Sequence, residues 1–479
     1  MPFLFTLPTT SSFSFSTYFD SSSHPSLPLA ASSFRGVLRD TLKKHKRLPL
    51  SSQSSHLSSV LLALNNYIPY LLAIDNGLGS QLVGGEELDV VLKSTPALEW
   101  RPTLSDNSIP GKENSRVKIT SIEYEIYFVL QALGYTYTLL SRVALHPLYS
   151  SASASPTPEQ RTLAITTATR HLLSAASVHD YILKRSDQIS SAPPCVDIAE
   201  STTRALSSLA LSEATLLAVL KDDTYPAIVA QNRNSNDNEW MIRAPDIPKF
   251  RVHLFARLCL AASEHAANAL SLLNTTANKG RGKIDGELLK YAEDLKRTAR
   301  AKACRFFGID ADLRGGTGEA IAWLRAGMLE LGLASRNEGK KGLGLGRIKK
   351  GWEERMEDKR VEKEGQWGGD AGRAEEGRVL EHLDQKWNKM NDTTNTQHIP
   401  STGPLTASMP SGREIHSLKP WLPPVLDASL LESMRAPPDR ADDYGSDTGA
   451  SVSSNDEVQE FVSTLPGGTR DYAGAGGYF

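Results

Sequence analysis

The part of this 479-residue chain whose composition suits phosphate chemistry is the glycine-rich run GKKGLGLG at positions 339–346. Backbone amides cradle a phosphate when a buried strand leads into G-x-x-x-x-G-K-[ST], whose lysine and hydroxyl meet the phosphate and its metal. Here the lysines precede the Gly342, Gly344 and Gly346 series, and no Ser or Thr follows it. The strand–turn–helix setting of a dinucleotide fingerprint is missing as well. A loop is the simpler reading, and a phosphate-binding enzyme is the alternative that this run keeps open. The 11 histidines are scattered. His171 and His179 lie eight apart on one predicted helix without a third ligand, which is short of a zinc set. Cys195, Cys259 and Cys304 are odd in number and lack C-x-x-C spacing, so buried thiols in a reducing compartment are expected. The carboxylate pairs Glu353-Glu354 and Asp442-Asp443 sit in charged runs, where the shifted pKa of a catalytic acid is not expected. G-x-S-x-G and H-E-x-x-H are absent. These residues predict no catalytic centre, no metal and no cofactor.

Composition narrows the class further. Hydrophobic residues make up 40% and charged residues 23%, as in a globular body with polar extensions. A net charge of -2 gives no global case for nucleic acid. No Lys or Arg precedes Arg35, so a secretory or transit peptide is not expected. No run approaches the roughly 20 unbroken apolar residues of a membrane span. A cytoplasmic protein follows as the expectation. One basic run, Arg35, Arg39, Lys43, Lys44, Lys46 and Arg47, accompanies apolar Val37, Leu38 and Leu42. It reads as a solvated helix flank or as a small basic face for an acidic partner or membrane.

The elements that must position these residues are helical. Residues 122–145, IEYEIYFVLQALGYTYTLLSRVAL, are apolar on nearly every face, yet contain Glu123, Glu125, Gln131 and Arg142. Such a run reads as a helix buried on several sides. Further helices are expected over 57–74, 86–93, 161–186, 197–222, 249–273, 284–307 and 318–331, with Gly332 closing the last. A short edge strand is expected within 1–10, and no convincing β-alternation elsewhere. Antiparallel helices joined by loops give an all-α, tetratricopeptide-like solenoid without a regular repeat. Residues 1–425 are expected to form the helical domain. Residues 426–479 are expected to be a disordered acidic, Ser/Gly-rich tail with a terminal aromatic as a conceivable docking peptide.

Several blocks, in order, resemble the BRO-domain family, the boomerang-shaped helical domain of ALIX and of fungal pH-response proteins. The blocks are LALNNYIPYLLAI at 62–74, Glu99-Trp100 with the following Arg-Pro-Thr-Leu, the buried helix 122–145, and the helix 197–222. Gly318-Glu319-Ala320-Ile321-Ala322 is similar to the family's G-E-A-I-A helix start, and 398–413 occupies the place of its return segment. A BRO-like region standing nearly alone, without a V domain or long proline-rich arm, is most similar to the family's fungal ambient-pH regulators.

The resemblance implies a non-enzymatic adaptor. It would receive the C-terminal amphipathic helix of the filament-forming ESCRT-III subunit in a helix-in-groove mode. It would link that subunit to the pH-sensing receptor complex at the cell cortex, upstream of proteolytic activation of a zinc-finger transcription factor. Membrane association would be peripheral, through partners, at cortical or endosomal sites. The contact surface would lie on the helix 161–186, at Val178, Tyr181 and Arg185. An endosomal cargo-sorting adaptor of the ALIX class is the alternative. Tyr225-Pro226-Ala227-Ile228 fits Y-P-x-[LI], the peptide bound by ALIX-type V domains; it reads as a displayed ligand or as a Pro-marked turn after a long helix.

Overall fold

The computed structural model describes residues 2–105, 113–149, 157–186, 192–226, 229, 249–278, 282–333 and 367–437. Its compact unit runs Met1–Arg435. The helices are α1 (Phe15–Tyr18), α2 (Leu27–Arg47), α3 (Leu50–Leu78), α4 (Ile122–Leu145), α5 (Pro158–Ser186), α6 (Glu200–Leu220), α7 (Lys249–Asn278), α8 (Gly286–Leu313), α9 (Thr317–Glu330), α10 (Arg373–Met390), α11 (Thr402–Ala407) and α12 (Ala428–Met434). From α2 to α9 each helix packs on its predecessor and successor, which makes a helical solenoid. Helix ends follow local chemistry. The Ser121 hydroxyl accepts the Glu123 amide at the start of α4, and Asp285 accepts the Glu287 amide at the start of α8. After α9, Gly332 takes a φ of 68°, with Leu333 N–H donating to the Met328 carbonyl and Gly332 N–H to Leu329, a Schellman ending.

The expected helix over 86–93 is instead strand and hairpin. Strands β3 (Leu82–Val83) and β4 (Glu86–Glu87) pair antiparallel across Gly84-Gly85, which have φ of 61° and 91°. That is the double positive-φ turn for which a Gly-Gly pair is suited. β5 (Val91–Leu92) pairs with β2 (Phe19–Asp20). β1 (Thr9–Thr10), β6 (Leu98–Arg101) and β7 (Val117–Ile119) form a small antiparallel sheet in the order β1-β6-β7. Leu98 and Trp100 face the core, leaving Glu99 and Arg101 outward.

The two carboxylates in the first turn of α4 take separate roles. Glu125 is fully buried and accepts from Arg35 Nε at 2.8 Å and from the Tyr67 hydroxyl at 3.2 Å. The indole N–H of Trp100 donates to its second oxygen. Arg35 also donates to the Thr10 hydroxyl and the Ser11 carbonyl. One buried pair thus ties α2, α3, α4 and the sheet. This corrects the expectation for Arg35, which belongs to the interior and neither to a solvated flank nor to a basic face. A second buried cluster joins later helices: Arg305 of α8 pairs with Asp223 at 2.6 Å and with Glu376 of α10 at 2.7 Å, and Lys302 reaches Glu376 at 2.8 Å.

By length and composition α3 and α6 could cross a membrane, contrary to expectation, but most of each apolar window is buried in the protein. All three cysteines are buried, unbridged thiols. Residues 426–435, expected to lie in the tail, contribute Leu426, Leu431 and Met434 to the core. Residues 438–479 of the expected tail, the glycine-rich run 339–346 and Glu353-Glu354 lie outside the described residues.

Candidate partner-binding surface

Helix α5 packs between α4 and α6 through Ile165, Ala168, Leu172, Ala175, Ala176, Val178 and Ile182. The i, i+3, i+4 spacing puts these on one broad stripe. Its close approach to α4 rests on Gly134, where an added Cβ would stand 2.7 Å from the His179 ring. Burial drives the His179 imidazole down to about 3 and leaves it neutral. His171 instead stacks on Tyr137 with ring centroids 6.0 Å apart. Among the described residues no group of three or more His, Cys, Asp or Glu gathers to hold a metal.

The three residues expected on the contact surface separate. Val178 is fully buried and faces the core. Arg185 is mostly buried and bridges Glu123 of α4 at 2.5 Å and Asp75 of α3 at 2.5 Å. Burial opposes its charge, but the bonds to Glu123 and Asp75 outweigh that and raise its pKa. Arg185 is thus held within its own chain. Tyr181 is the member left half-exposed, and its ring meets Trp421 edge-on with centroids 4.8 Å apart.

Trp421 belongs to an extended strap, residues 409–426, that crosses the helices. Gly412 N–H donates to Glu264, Arg413 N–H to the Arg257 carbonyl, and Arg257 Nε to the Ser411 carbonyl. His265 meets Glu414 at 2.9 Å. At Gly412 a Cβ would fall 2.5 Å from the Ala261 amide nitrogen, so the crossing on α7 requires glycine. Leu418 then packs against Ala175, Ala176 and Ala210, and Trp421 against Tyr181. Past it, Leu422 is 81% and Val425 62% exposed. Tyr181 of α5 and Leu418 and Trp421 of the strap therefore form one apolar surface, which the exposed Leu422 and Val425 continue along the strap. The strap half was missed because an extended segment has no helical period; its signal was the apolar cluster in KPWLPPVL among polar neighbours.

The Tyr225 motif lies elsewhere. Tyr225 is buried beneath the Arg305 guanidinium, 5.6 Å from ring centre to cation, and burial pushes its phenol up to about 12. Pro226 is buried beside it, and Ala227 and Ile228 lie outside the described residues.

Comparison with solved structures places the fold. The chain superposes on ALIX in complex with a PYKEVTEDL late-domain peptide, with a TM-score of 0.54 and 15% identity over 91% of this chain and 51% of that one. It superposes on the ALIX BRO1–CHMP4C complex with a TM-score of 0.52 and 14% identity, covering 90% of this chain and 98% of that one. A Bro1 domain studied for endosomal targeting gives 0.50 at 15% identity, over 91% and 95%. The chain spans about half of the longer ALIX chain. The architecture is that of a BRO1 domain. No protein-family model matches the sequence. Over 94% of its length it is 45% identical to the pH-response regulator protein palC of Emericella nidulans, covering 95% of that protein. It is 25% identical to palC of Cryptococcus neoformans var. neoformans over 88% of its length and 92% of that relative. The chain belongs to the palC family of pH-response regulators.

Proposed function

We propose that this protein is a non-enzymatic adaptor in alkaline-pH signalling that binds the C-terminal helix of the filament-forming ESCRT-III subunit. In this reading it links that subunit to the pH-sensing receptor complex at cortical or endosomal sites, upstream of proteolytic activation of a zinc-finger transcription factor. The observation that carries the reading is 45% identity to a pH-response regulator across 94% of the chain. The BRO1 fold adds to it, because a neighbour of that fold is seen complexed with CHMP4C. The surface of Tyr181, Leu418, Trp421 and Leu422 supplies the apolar ground an amphipathic helix seeks. Val178 is buried in the core and Arg185 is tied to Glu123 and Asp75, which favours a contact centred on Tyr181 and the strap.

The test is titration of the full chain with the isolated C-terminal helix of the ESCRT-III filament subunit. Saturation in the micromolar range, about -8 kcal/mol, is expected. Tyr181→Asp should lower the affinity at least tenfold while helical circular dichroism and melting stay unchanged. Absence of saturation in the native chain removes the ESCRT-III reading, and unfolding of Tyr181→Asp moves Tyr181 from the contact surface to the core.

A further inference from the structure

Two stretches distant in sequence bring cations to one face. The C-terminal half of α2 presents Arg39, Lys43, Lys44, Lys46 and Arg47 on the surface. Beside it, the outer face of the small sheet presents Arg101 and Lys118. The register that sets Trp100 opposite Val117 sets Arg116 opposite Arg101. The two stretches are joined in space, because Glu113 binds both Lys46 and Arg101. Crowding is felt by the lysines: burial, then Arg39 and Arg116, holds Lys43 below the ordinary lysine pKa, and burial, then Arg101 and Arg116, does the same to Lys46. Against these cations stand Asp40, Glu99 and Glu113. The surface keeps a net positive charge on a chain whose total is -2.

The exposed line of α2 is not purely charged. Leu29 and Val37, 61% and 55% exposed, lie on the same helical line as Lys44 and Arg47, with Asp40 between them. An acidic protein partner needs only the cations. Exposed aliphatics set in line with lysines and arginines match the interface of water and lipid, where the cations meet headgroup phosphates and the aliphatics enter the acyl boundary.

We propose that this face of α2 and the β6–β7 sheet docks directly on a bilayer surface bearing anionic phospholipid. The contact is independent of the ESCRT-III reading, since the test contains no second protein. The full chain is floated with phosphatidylcholine vesicles, with and without phosphatidylserine. Binding is expected only with the anionic lipid, and it should weaken as salt rises. A triple variant, Lys43→Glu, Lys44→Glu and Arg47→Glu, should lose tenfold or more of the binding. Arg204→Glu, an exposed cation on α6, should bind as the native chain does. If the triple variant melts early, the milder Lys43→Gln with Arg47→Gln should still show a loss, several-fold in size. Equal binding to neutral vesicles, absence of vesicle binding, or variants that bind like the native chain each overturn the proposal. Capture of a polyglutamate peptide by a chain that ignores the vesicles overturns it in favour of an acidic protein partner.

Discussion

Gly318 and Glu125 illustrate how single positions hold this fold. A Cβ on Gly318 would stand 2.2 Å from the His398 carbonyl oxygen, and the Gly318 amide donates to Gln397 at 3.0 Å. Gly318→Ala should therefore cost about 1–3 kcal/mol through forced displacement of the 397–398 backbone, read as a lower melting temperature. Glu125→Ala should cost more, about 3–5 kcal/mol, because it strands Arg35 as an unpaired buried charge. The double variant Arg35→Met with Glu125→Leu should recover most of that loss in denaturant melts. Lack of recovery would mean that the hydrogen bonds from Trp100 and Tyr67, not the ion pair, carry the site. At this scale the sequence was half legible. A carboxylate in the first turn of an all-round apolar helix had to be buried and partnered. Its partner was hidden because Arg35 heads a basic run, although Ala31, Leu38 and Leu42 at helical spacing put Arg35 on the buried stripe.

Elements differ in how plainly they announce themselves. The long helices were readable from their period; α4 keeps its expected bounds and α6 is shorter than expected, while α3, α5, α7 and α8 run longer, α3 through its Ser-rich start. There tertiary packing extends a helix past what propensity suggests. The 86–93 stretch was misread because the Gly84-Gly85 turn signal just before it was not weighed. The strap is the extreme case, since its backbone bonds go to α7 and nothing local defines it. It should be the first part of the body to open. Gly412→Val should speed amide exchange across 409–426 while leaving the helices of α4 to α6 protected. Should exchange quicken evenly across the body, the strap would be a full member of the folding unit. Because Trp421 and Leu418 complete the surface around Tyr181, the same variant should weaken the ESCRT-III helix in parallel, by about tenfold.

Across the molecule, buried titratable groups pull stability in opposite directions. Glu213 of α6 accepts from the Tyr291 hydroxyl at 2.7 Å and the Phe3 amide at 3.0 Å, and burial pushes its pKa up to about 7. The unfolded chain releases this proton near 4.5, so between those values the folded state holds the extra proton and stability falls as pH rises. His179 and His45 are held down at about 3 and about 4, chiefly by burial, with His56 adding to the effect on His45. They stay neutral while the unfolded chain gains protons below 6.5, so their share of stability is lost as pH drops. Glu213→Gln removes the first trend alone. Its melting temperature should exceed that of the native chain at pH 7 and converge with it at pH 5. Parallel curves would place the Glu213 pKa near its ordinary value. None of these three environments could be read from the sequence, because each is made by residues that are remote in the chain. Fold class and relationship were legible at this scale, since they depend on the order of many blocks, from the Trp100 segment to the Gly318 helix start.

The three cysteines have a practical consequence. Burial lifts the Cys195 and Cys259 thiols to about 12 and raises Cys304 as well, so each stays protonated and shielded. The wild-type sequence therefore serves unaltered as a background for maleimide probes: a cysteine installed at Arg204 or Lys184 should couple quantitatively under native conditions, while the resident thiols react only after denaturation. Fluorescent or spin labels can thus report distances on the folded protein without first removing any of the native cysteines.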